Sequence, residues 1–210
     1  MSAVAQRVIE PSVLYFGTPV ALISSVNPDG GSNLSPISSV WALADRLVIG
    51  LGLEGQAIAN LMRDGGCVVN LPNAELWPHV ERLARATGRQ AVPAGKAAMG
   101  YSHVADKFAL AGLHRLRSEL VNADRVSECP LQIEARLSQT PDMAAAEARG
   151  FAIVELTVLR VHAHATITHL DSHHIDTTRW QPLLYVFRHY CGTSAPQGAN
   201  FRAETPLGQT

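Results

Sequence analysis

The sequence has few charged residues and no long apolar run, and each shortage excludes a class of protein. Charged residues make up 17% of the 210 residues, and the formal net charge is -1. Because a surface that binds nucleic acid needs an excess of basic residues, we expect no nucleic acid among the ligands. No stretch approaches the roughly 20 apolar residues of a membrane-spanning helix. The sequence therefore predicts a protein without a membrane partner.

Signals of export and of a disulfide framework are also missing. The three cysteines, Cys67, Cys129 and Cys191, are far apart and odd in number, so no disulfide framework is expected. Residues 1–10 contain no apolar core of a secretory signal. Because free thiols persist in reducing compartments, we expect a cytoplasmic protein.

Apolar segments recur along the chain without an interrupting linker, which predicts a single domain over residues 1–210. The tail over residues 193–210 is rich in Pro, Gly and polar residues, and we expect it to be flexible or to embrace a partner subunit. The regular strand–helix alternation of a doubly wound sheet is missing. The predicted fold class is therefore mainly β with inserted helices, in the form of a closed or half-closed antiparallel barrel.

The predicted strands are short, and turn-forming residues bound most of them. They cover residues 19–26, 32–43, 46–51, 67–71, 131–137, 151–167 and 183–190. Apolar residues at helical spacing predict helices over residues 55–63, 73–87 and 103–113. Asn73 and Gly88 are the predicted N-cap and C-cap of the second of these helices. Pro36 cannot donate a hydrogen bond to a sheet, so it indicates a sheet edge or a bulge.

Two stretches carry groups that suit a phosphate and a flat ring. Residues 32–43 offer four hydroxyls and one amide among apolar side chains. A phosphate needs converging donors, whereas a flavin ring needs a flat apolar slot with few polar groups. The helix start at Gln56 and Ala57 presents free N–H groups and a partial positive charge. Gly52 and Gly55 let the backbone approach a ligand. Taken alone, each stretch is more typical of an ordinary sheet rim or an ordinary strand-to-helix turn.

Taken in order, these segments resemble the flavin reductase-like family, which has an FMN-binding split barrel. The resemblance covers roughly residues 10–190 and depends on the order and spacing of several short motifs. The motifs are an N-x-[AS]-P-x-S-like stretch at Asn33, Ser35, Pro36 and Ser38, a helical Asn60, a V-N-L strand end at 69–71, a D-K-F segment at 106–108 and a closing strand at 182–190.

The resemblance implies a Greek-key split β-barrel of six strands, assembled as a homodimer with one FMN near each end of the interface. It implies that Asn33, Leu34 and Ser35 line the isoalloxazine ring. It also implies that Ser38, Ser39, Gln56 and Ala57 face the ribityl chain and phosphate. The remaining implied FMN-binding residues are Pro36, Leu51 and Gly52, with Asn60 supporting the helix start, Lys107 and Phe108 near the ring, and Tyr185 and Tyr190 at the pocket edge.

The chain departs from the family pattern at two places. Many members carry a K-D-T-like triplet where this chain has residues 55–57, so a cation and a hydroxyl are missing beside the phosphate. The candidate replacements for the cation are Arg63, Arg82 and Arg85. Reductases of the family often carry His and then Gly where this chain has Val186 and Phe187. This second departure weakens the expectation of efficient NAD(P)H use more than the expectation of flavin binding, because the flavin accepts the hydride at its own ring.

The implied function is that of an NAD(P)H-dependent FMN reductase. One form of this function is the reductase component of a two-component monooxygenase, which supplies an oxygenase partner. NAD(P)H would then stack transiently on the flavin. The first alternative is an FMN-binding protein without efficient reductase turnover. The second is a zinc-dependent hydrolase, because His162 and His164 share one face of a predicted strand and His169, His173 and His174 follow. A serine hydrolase is not expected, since no G-x-S-x-G motif is present.

Overall fold

The computed structural model describes residues 4–170 and 172–200, and its strands and helices alternate irregularly. The first half contains β1 (Phe16–Pro19), β2 (Ala21–Val26), β3 (Ser32–Ile37), β4 (Val40–Leu43), β5 (Arg46–Gly52), α1 (Gln56–Asp64), β6 (Gly66–Leu71), α2 (Trp77–Arg82), β7 (Ala86–Thr87) and α3 (Ala94–Ala98). The second half contains β8 (Ser102–His103), α4 (Lys107–Ala111), β9 (Arg115–Leu116), β10 (Arg125–Val126), β11 (Leu131–Leu137), α5 (Met143–Arg149), β12 (Phe151–Ala163), β13 (Leu184–Val186) and β14 (His189–Cys191).

Seven strands form one antiparallel sheet in the order β3-β2-β6-β11-β12-β5-β4. Strands β3 and β4 lie at opposite edges of this sheet, yet only Ser38 and Ser39 separate them along the chain. Since consecutive Cα atoms are about 3.8 Å apart, the two edges must come close together. The backbone N–H of Gly50 donates to the carbonyl of Ser39 at 2.8 Å across this junction. The sheet is therefore a half-closed barrel, as the sequence predicted, but it has seven strands where the resemblance implied six.

Two apolar clusters lie on the two faces of the sheet. Ile23, Ile49 and Val69 belong to the cluster that packs against α1 and α5. Leu22, the neighbour of Ile23, belongs to the second cluster, together with residues of α2 and α4. Successive residues of a strand point to opposite faces, so β2 contributes to both clusters and both faces of the barrel are covered near the site.

Pro36 lies in β3, an edge strand, as predicted. The helix predicted over 55–63 is α1, and the long predicted strand over 151–167 ends at Ala163 and continues into a 3-10 turn over Ala165–Ile167. Helix α4 is shorter than predicted, and the Asp106 carboxylate caps it by accepting from the N–H of Ala109. No helix within the described ranges is both long and apolar enough to cross a membrane.

The prediction of one helix over residues 73–87 is wrong. A 3-10 turn over Ala74–Leu76 precedes α2, which ends at Arg82, and the chain then forms β7, which pairs with β8 in parallel. The Asn73 side chain makes no capping hydrogen bond. Ala86 and Thr87 are buried and paired with Ser102 and His103, and this tertiary pairing outweighs the local helical pattern.

The prediction of one strand over residues 183–190 is also wrong. Phe187 and Arg188 have φ values of +42° and +73°, and two consecutive residues with positive φ reverse the chain in a tight hairpin. The hairpin strands β13 and β14 form a separate three-stranded sheet with β1. The predicted tail over 193–210 contains no helix or strand in its described part, and its residues 201–210 lie outside the described ranges.

Candidate functional site

A cavity of about 170 Å³ lies where β3, the turn between β5 and α1, and the segment after α2 meet. The two stretches singled out in the sequence therefore share one site. Of the predicted FMN-binding residues, Ser35, Pro36, Leu51, Gly52, Gln56, Ala57 and Lys107 line this cavity.

The first turn of α1 forms one wall of the cavity. The N-cap residue Gly55 is extended, with φ of -77° and ψ of 152°, and no side chain caps the helix. The first N–H groups of an α-helix have no partner within the helix, and they carry a partial positive charge. Gly55, Gln56 and Ala57 all line the cavity, so this wall suits an anion.

Asn60 holds the start of α1 in place through its side-chain hydrogen bonds. Its side chain is fully buried, and its Oδ1 accepts from Nε2 of Gln56 at 2.7 Å. Its Nδ2 donates to Ser25 Oγ at 3.1 Å and to Asn27 Oδ1 at 2.9 Å. This network ties the first turn of the helix to strand β2 and the turn that follows it, which fixes the wall of the cavity.

Lys107 contributes a buried cation. Its side chain is 2% exposed although it lines the cavity. Burial, together with repulsion from Lys96, lowers the pKa of Lys107 to about 8. Burial likewise lowers the pKa of Lys96, which lines the same cavity. Since a buried charge is costly unless it is compensated, the pair of ammonium groups favours a bound anion.

Asn33 provides a buried acceptor beside the cavity. Its Nδ2 donates to Ser35 Oγ at 3.0 Å, but its Oδ1 is buried and has no hydrogen-bond partner. Gly88, which lines the cavity, covers this oxygen so closely that a Cβ there would lie 2.5 Å from it. An unsatisfied buried acceptor costs about 1–3 kcal/mol, so the oxygen favours a ligand that brings a donor.

A larger apolar groove of about 890 Å³ adjoins the cavity. The two share Pro36, Ile37 and Gly52. Ser38 and Ser39, which connect β3 to β4, line the groove and not the cavity. Exposed aromatic and aliphatic residues form much of the groove wall, among them Phe16, Trp41, Phe151 and Ile153. The groove therefore suits a flat apolar group next to an anionic one.

Six of the predicted FMN-binding residues line neither the cavity nor the groove. Two of them, Asn33 and Asn60, are described above, and the other four are Leu34, Phe108, Tyr185 and Tyr190. Leu34 and Phe108 are fully buried in the second apolar cluster. Tyr185 and Tyr190 pack on each other with ring centroids 5.5 Å apart, and the Tyr190 hydroxyl donates to Glu81 at 3.1 Å. Their place in the fold gives these four residues a supporting role beneath the site or away from it.

The three arginines that were candidates for the missing cation point elsewhere. Arg63 donates to the carbonyl of Val26 at the far end of α1, Arg82 donates to the carbonyl of Ala111, and Arg85 lies against Gly100. The cavity cation that sequence reasoning missed is Lys96. A signal for it was present, because the chain contains only two lysines, Lys96 and Lys107, and both line the cavity.

A second missed signal lies in the β5–α1 turn. Gly50, Gly52 and Gly55 have the G-x-G-x-x-G spacing between a strand and a helix. The spacing belongs to no Rossmann unit here, because β5 pairs in antiparallel fashion with both of its neighbours, β4 and β12. The turn nevertheless brings a helix N-terminus to the cavity, which is the feature that binds phosphate in that motif.

The histidines of the zinc hypothesis are spread among separate contacts. His162 Nε2 pairs with the buried carboxylate of Glu134 at 2.6 Å, and His164 Nε2 contacts the carbonyl of Ser127 at 3.0 Å. Among residues 4–170 and 172–200, no three His, Cys, Asp or Glu side chains come together in a way that could hold a metal ion.

Fold and site together define a half-closed antiparallel β-barrel with a cationic cavity and an adjoining apolar groove. Residues 13–194 match the family of the flavin reductase-like domain. The chain is also 42% identical over 199 residues to the uncharacterised protein YdfE of Bacillus subtilis (strain 168), covering 94% of each chain. The chain belongs to the flavin reductase-like family.

Solved structures share the fold at low sequence identity. Flavoredoxin of Desulfovibrio vulgaris (Miyazaki F) superposes with a TM-score of 0.76 at 16% identity, over 96% of this chain and all of that one. Component B of nitrilotriacetate monooxygenase from Bacillus cereus superposes with a TM-score of 0.70 at 17% identity, over 91% of this chain and 98% of that one. The predicted fold class, the split barrel with inserted helices, is confirmed.

Proposed function

We propose that the protein binds FMN and reduces it with NAD(P)H. The observation that carries the proposal is the junction of the two sites. A cavity with a free helix N-terminus and a buried lysine opens next to an apolar groove, and both share Pro36, Ile37 and Gly52. FMN has the matching shape, since it joins a phosphate to a flat tricyclic ring through a short chain.

The dimensions support a division of the flavin between the two sites. Ligand pockets for molecules of this size are about 300–1,000 Å³. The cavity, at about 170 Å³, holds a phosphate but not the whole nucleotide, whereas the groove is large enough for the ring. We therefore assign the phosphate to the start of α1 and Lys107, and the isoalloxazine ring to the groove beside Ser38 and Ser39. The resemblance implied the reverse for this part of the chain, with the ring beside residues 33–35 and the phosphate beside Ser38 and Ser39.

The donors and acceptors present fit this group. The helix N-terminus and the Lys107 ammonium suit a phosphate dianion. The Asn33 Oδ1, buried without a partner, suits a hydroxyl or N–H of the cofactor. When bound, the flavin would supply the ring that accepts a hydride from the nicotinamide. The protein residues bind and orient it: Asn60 fixes the helix start, and Gly88 allows the cavity wall to close on Asn33.

A second copy of the chain would cover the groove. Phe16, Trp41, Phe151 and Ile153 are between 43% and 76% exposed, and they line one continuous surface at the edge of the barrel. Apolar residues of this size on one face are typical of a subunit interface. We propose a homodimer in which each groove is closed by the partner. The name of the component B relative additionally supports an oxygenase as the acceptor of the reduced flavin.

The experiment that tests the function follows NADH and NADPH oxidation at the nicotinamide absorbance, with and without added FMN. A reductase oxidises the nicotinamide in proportion to enzyme and only when FMN is present.

The alternative is an FMN-binding protein without turnover, and the position of the β13–β14 hairpin favours it. The tyrosines of that hairpin contact each other and Trp77 instead of lining the site. Tight FMN binding without nicotinamide oxidation would establish this alternative.

A further inference from the structure

Residues 4–14, which precede β1, form an exposed segment that we call the arm. None of them belongs to a helix or a strand, and residues 4–12 are exposed throughout. The large apolar side chains of the arm are open to solvent: Val4 is 88% exposed, Val8 99%, Ile9 67% and Leu14 68%. Single exposed apolar residues are common on protein surfaces, but four on one short segment indicate that another surface covers them.

The arm leaves the body at the apolar groove. Tyr15 and Phe16, which follow the arm directly, line the groove. In a two-fold dimer the same patch of both copies forms the contact, so a segment that starts at the wall of the groove starts at the interface. An extended chain spans about 3.3 Å per residue, and residues 4–14 therefore reach roughly 36 Å, which is long enough to lie across a partner's groove.

The groove wall on β12 offers a strip with a base at one end and an acid at the other. Phe151 and Ile153 are 43% and 55% exposed and share one face of the strand. The Arg149 guanidinium lies over the Phe151 ring, 5.4 Å from its centroid. Glu155 follows on the same face, with its side chain 40% exposed. Arg46 pairs with Oε1 of Glu155 at 3.3 Å, so Oε2 can accept a second cation.

Residues 7–10 of the arm have the matching order, R-V-I-E, with two apolar residues between a base and an acid. Laid antiparallel to β12, this segment brings Glu10 to the partner's Arg149 and Arg7 to the partner's Glu155. The segment and the strip are similar in length, about 10 Å and about 13 Å in extended geometry. Complementary charges at both ends fix the orientation in which the two surfaces meet.

We propose that the two copies of the dimer exchange their arms: residues 7–10 of each copy lie on the partner's strip, and each arm closes the partner's groove. Each groove is then completed by a segment of the other copy. The proposal rests on the proposed function, since it assumes the homodimer in which each groove faces the partner. It adds the segment that crosses between the copies, and it explains why the apolar residues of the arm are exposed in a single chain.

Disulfide trapping between two co-expressed chains tests the exchange. One chain carries Ile9→Cys, and the other, which has a mass tag, carries Ile153→Cys. Both also carry Cys191→Ser, because Cys67 and Cys129 are buried and Cys191 is only half-buried. Since a disulfide needs Cα atoms within about 7 Å of each other, we expect the mixed disulfide as the main product after oxidation.

The matched control replaces Ile9→Cys by Leu170→Cys. Leu170 is 92% exposed and lies outside the groove, so it should give little mixed product. A second measurement uses Val8→Asp with Ile9→Asp, because an unpaired charge buried in an interface is costly. We expect the dimer dissociation constant from sedimentation to rise at least tenfold in this variant, or about 1.4 kcal/mol, and to stay unchanged in Leu170→Asp.

Three results would overturn the exchange. In a protein that sediments as a dimer, a mixed disulfide that forms no better with Ile9→Cys than with Leu170→Cys leaves the homodimer intact and places the arm elsewhere. A disulfide within one chain that carries both Ile9→Cys and Ile153→Cys, co-expressed with excess wild type, shows that the arm covers its own groove. A wild-type protein that sediments as a monomer removes the homodimer and the exchange with it. None of these measurements involves flavin, so a failure of the reductase proposal is recognised separately, by the absence of FMN binding.

Discussion

Gly88 and Asn33 lie so close together that no side chain fits between them. A Cβ on Gly88 would lie 2.5 Å from Asn33 Oδ1 and 3.0 Å from Cβ of Gln56. Three elements meet at this point: β3, the start of α1 and the segment after β7. The absence of a side chain at position 88 therefore allows three walls of the cavity to close.

We predict that Gly88→Ala weakens FMN binding more than tenfold. The new methyl group must push Asn33 and Gln56 apart, and overpacking of this kind costs about 1–3 kcal/mol. Fluorescence titration with FMN, together with a thermal unfolding curve, measures both effects. Gly198→Ala is the control, because a Cβ at that position meets nothing within 4 Å. FMN binding that is unchanged in Gly88→Ala would show that the flavin does not contact these walls.

A double substitution tests the acceptor beneath Gly88. We predict that Asn33→Ala with Ser35→Ala weakens FMN binding more than tenfold, or about 1.4 kcal/mol. Replacing both residues removes the Asn33–Ser35 hydrogen bond without leaving half of it unpaired. Asn73→Ala is the matched control, since Asn73 Oδ1 is also buried without a partner but lies outside the cavity. Equal titration curves for the wild type and the double variant would place the ligand elsewhere.

The lowered pKa of Lys107 predicts a pH dependence of FMN binding. In the free protein this pKa is about 8, and a bound anion raises it, so binding takes up a proton above that pH. FMN affinity should therefore be greatest below about pH 8 and fall as the pH rises through that value. On the acid side, affinity falls as the phosphate dianion takes up one proton and becomes a monoanion, with a pKa of about 6.

The control for this profile is Lys107→Met, which keeps the length of the side chain and removes the charge. It should bind FMN weakly and lose the decrease above pH 8. Riboflavin, which has no phosphate, should show little change over the same range with either protein. An alkaline decrease that persists in Lys107→Met would assign the titration to another group.

Much of the fold could be predicted from local patterns. The edge position of Pro36 and the amphipathic α1 each follow from residue type and spacing. The barrel closure does not follow from local patterns, because residues 32–43 were predicted as one extended stretch, whereas the structure divides them into β3 and β4 at opposite edges of the sheet. The wrong predictions concern segments whose secondary structure depends on contacts with residues distant in the sequence. Residues 86–87 pair with 102–103 instead of continuing a helix, and Phe187 and Arg188 take positive φ although neither residue favours it.

The site could be predicted only in part for the same reason. Ser35, Gln56 and Lys107 were found through motifs, and the structure brings them to one cavity. Gly88 was interpreted as a helix C-cap, because its contact with Asn33 depends on a fold that sequence spacing does not reveal. Lys96 lies in a segment without a motif, and only the scarcity of lysine in the chain pointed to it.

The apolar groove predicts a dimer that a single charge disrupts. Trp41 lies on the edge strand β4 and is 55% exposed. We predict that Trp41→Glu shifts the protein from dimer to monomer in sedimentation velocity, because a charge in a desolvated interface is costly. Leu170→Glu, at a position that is 92% exposed and outside the groove, serves as the control. A wild-type protein that sediments as a monomer would contradict the proposed interface.

The proposed function requires one flavin to occupy the cavity and the groove together. Isothermal titration of the purified apoprotein with FMN, riboflavin and inorganic phosphate measures this. We predict stoichiometric FMN binding, weaker riboflavin binding, and competition between phosphate and FMN but not between phosphate and riboflavin. A protein that binds no FMN, or that binds FMN without competition from phosphate, would contradict it.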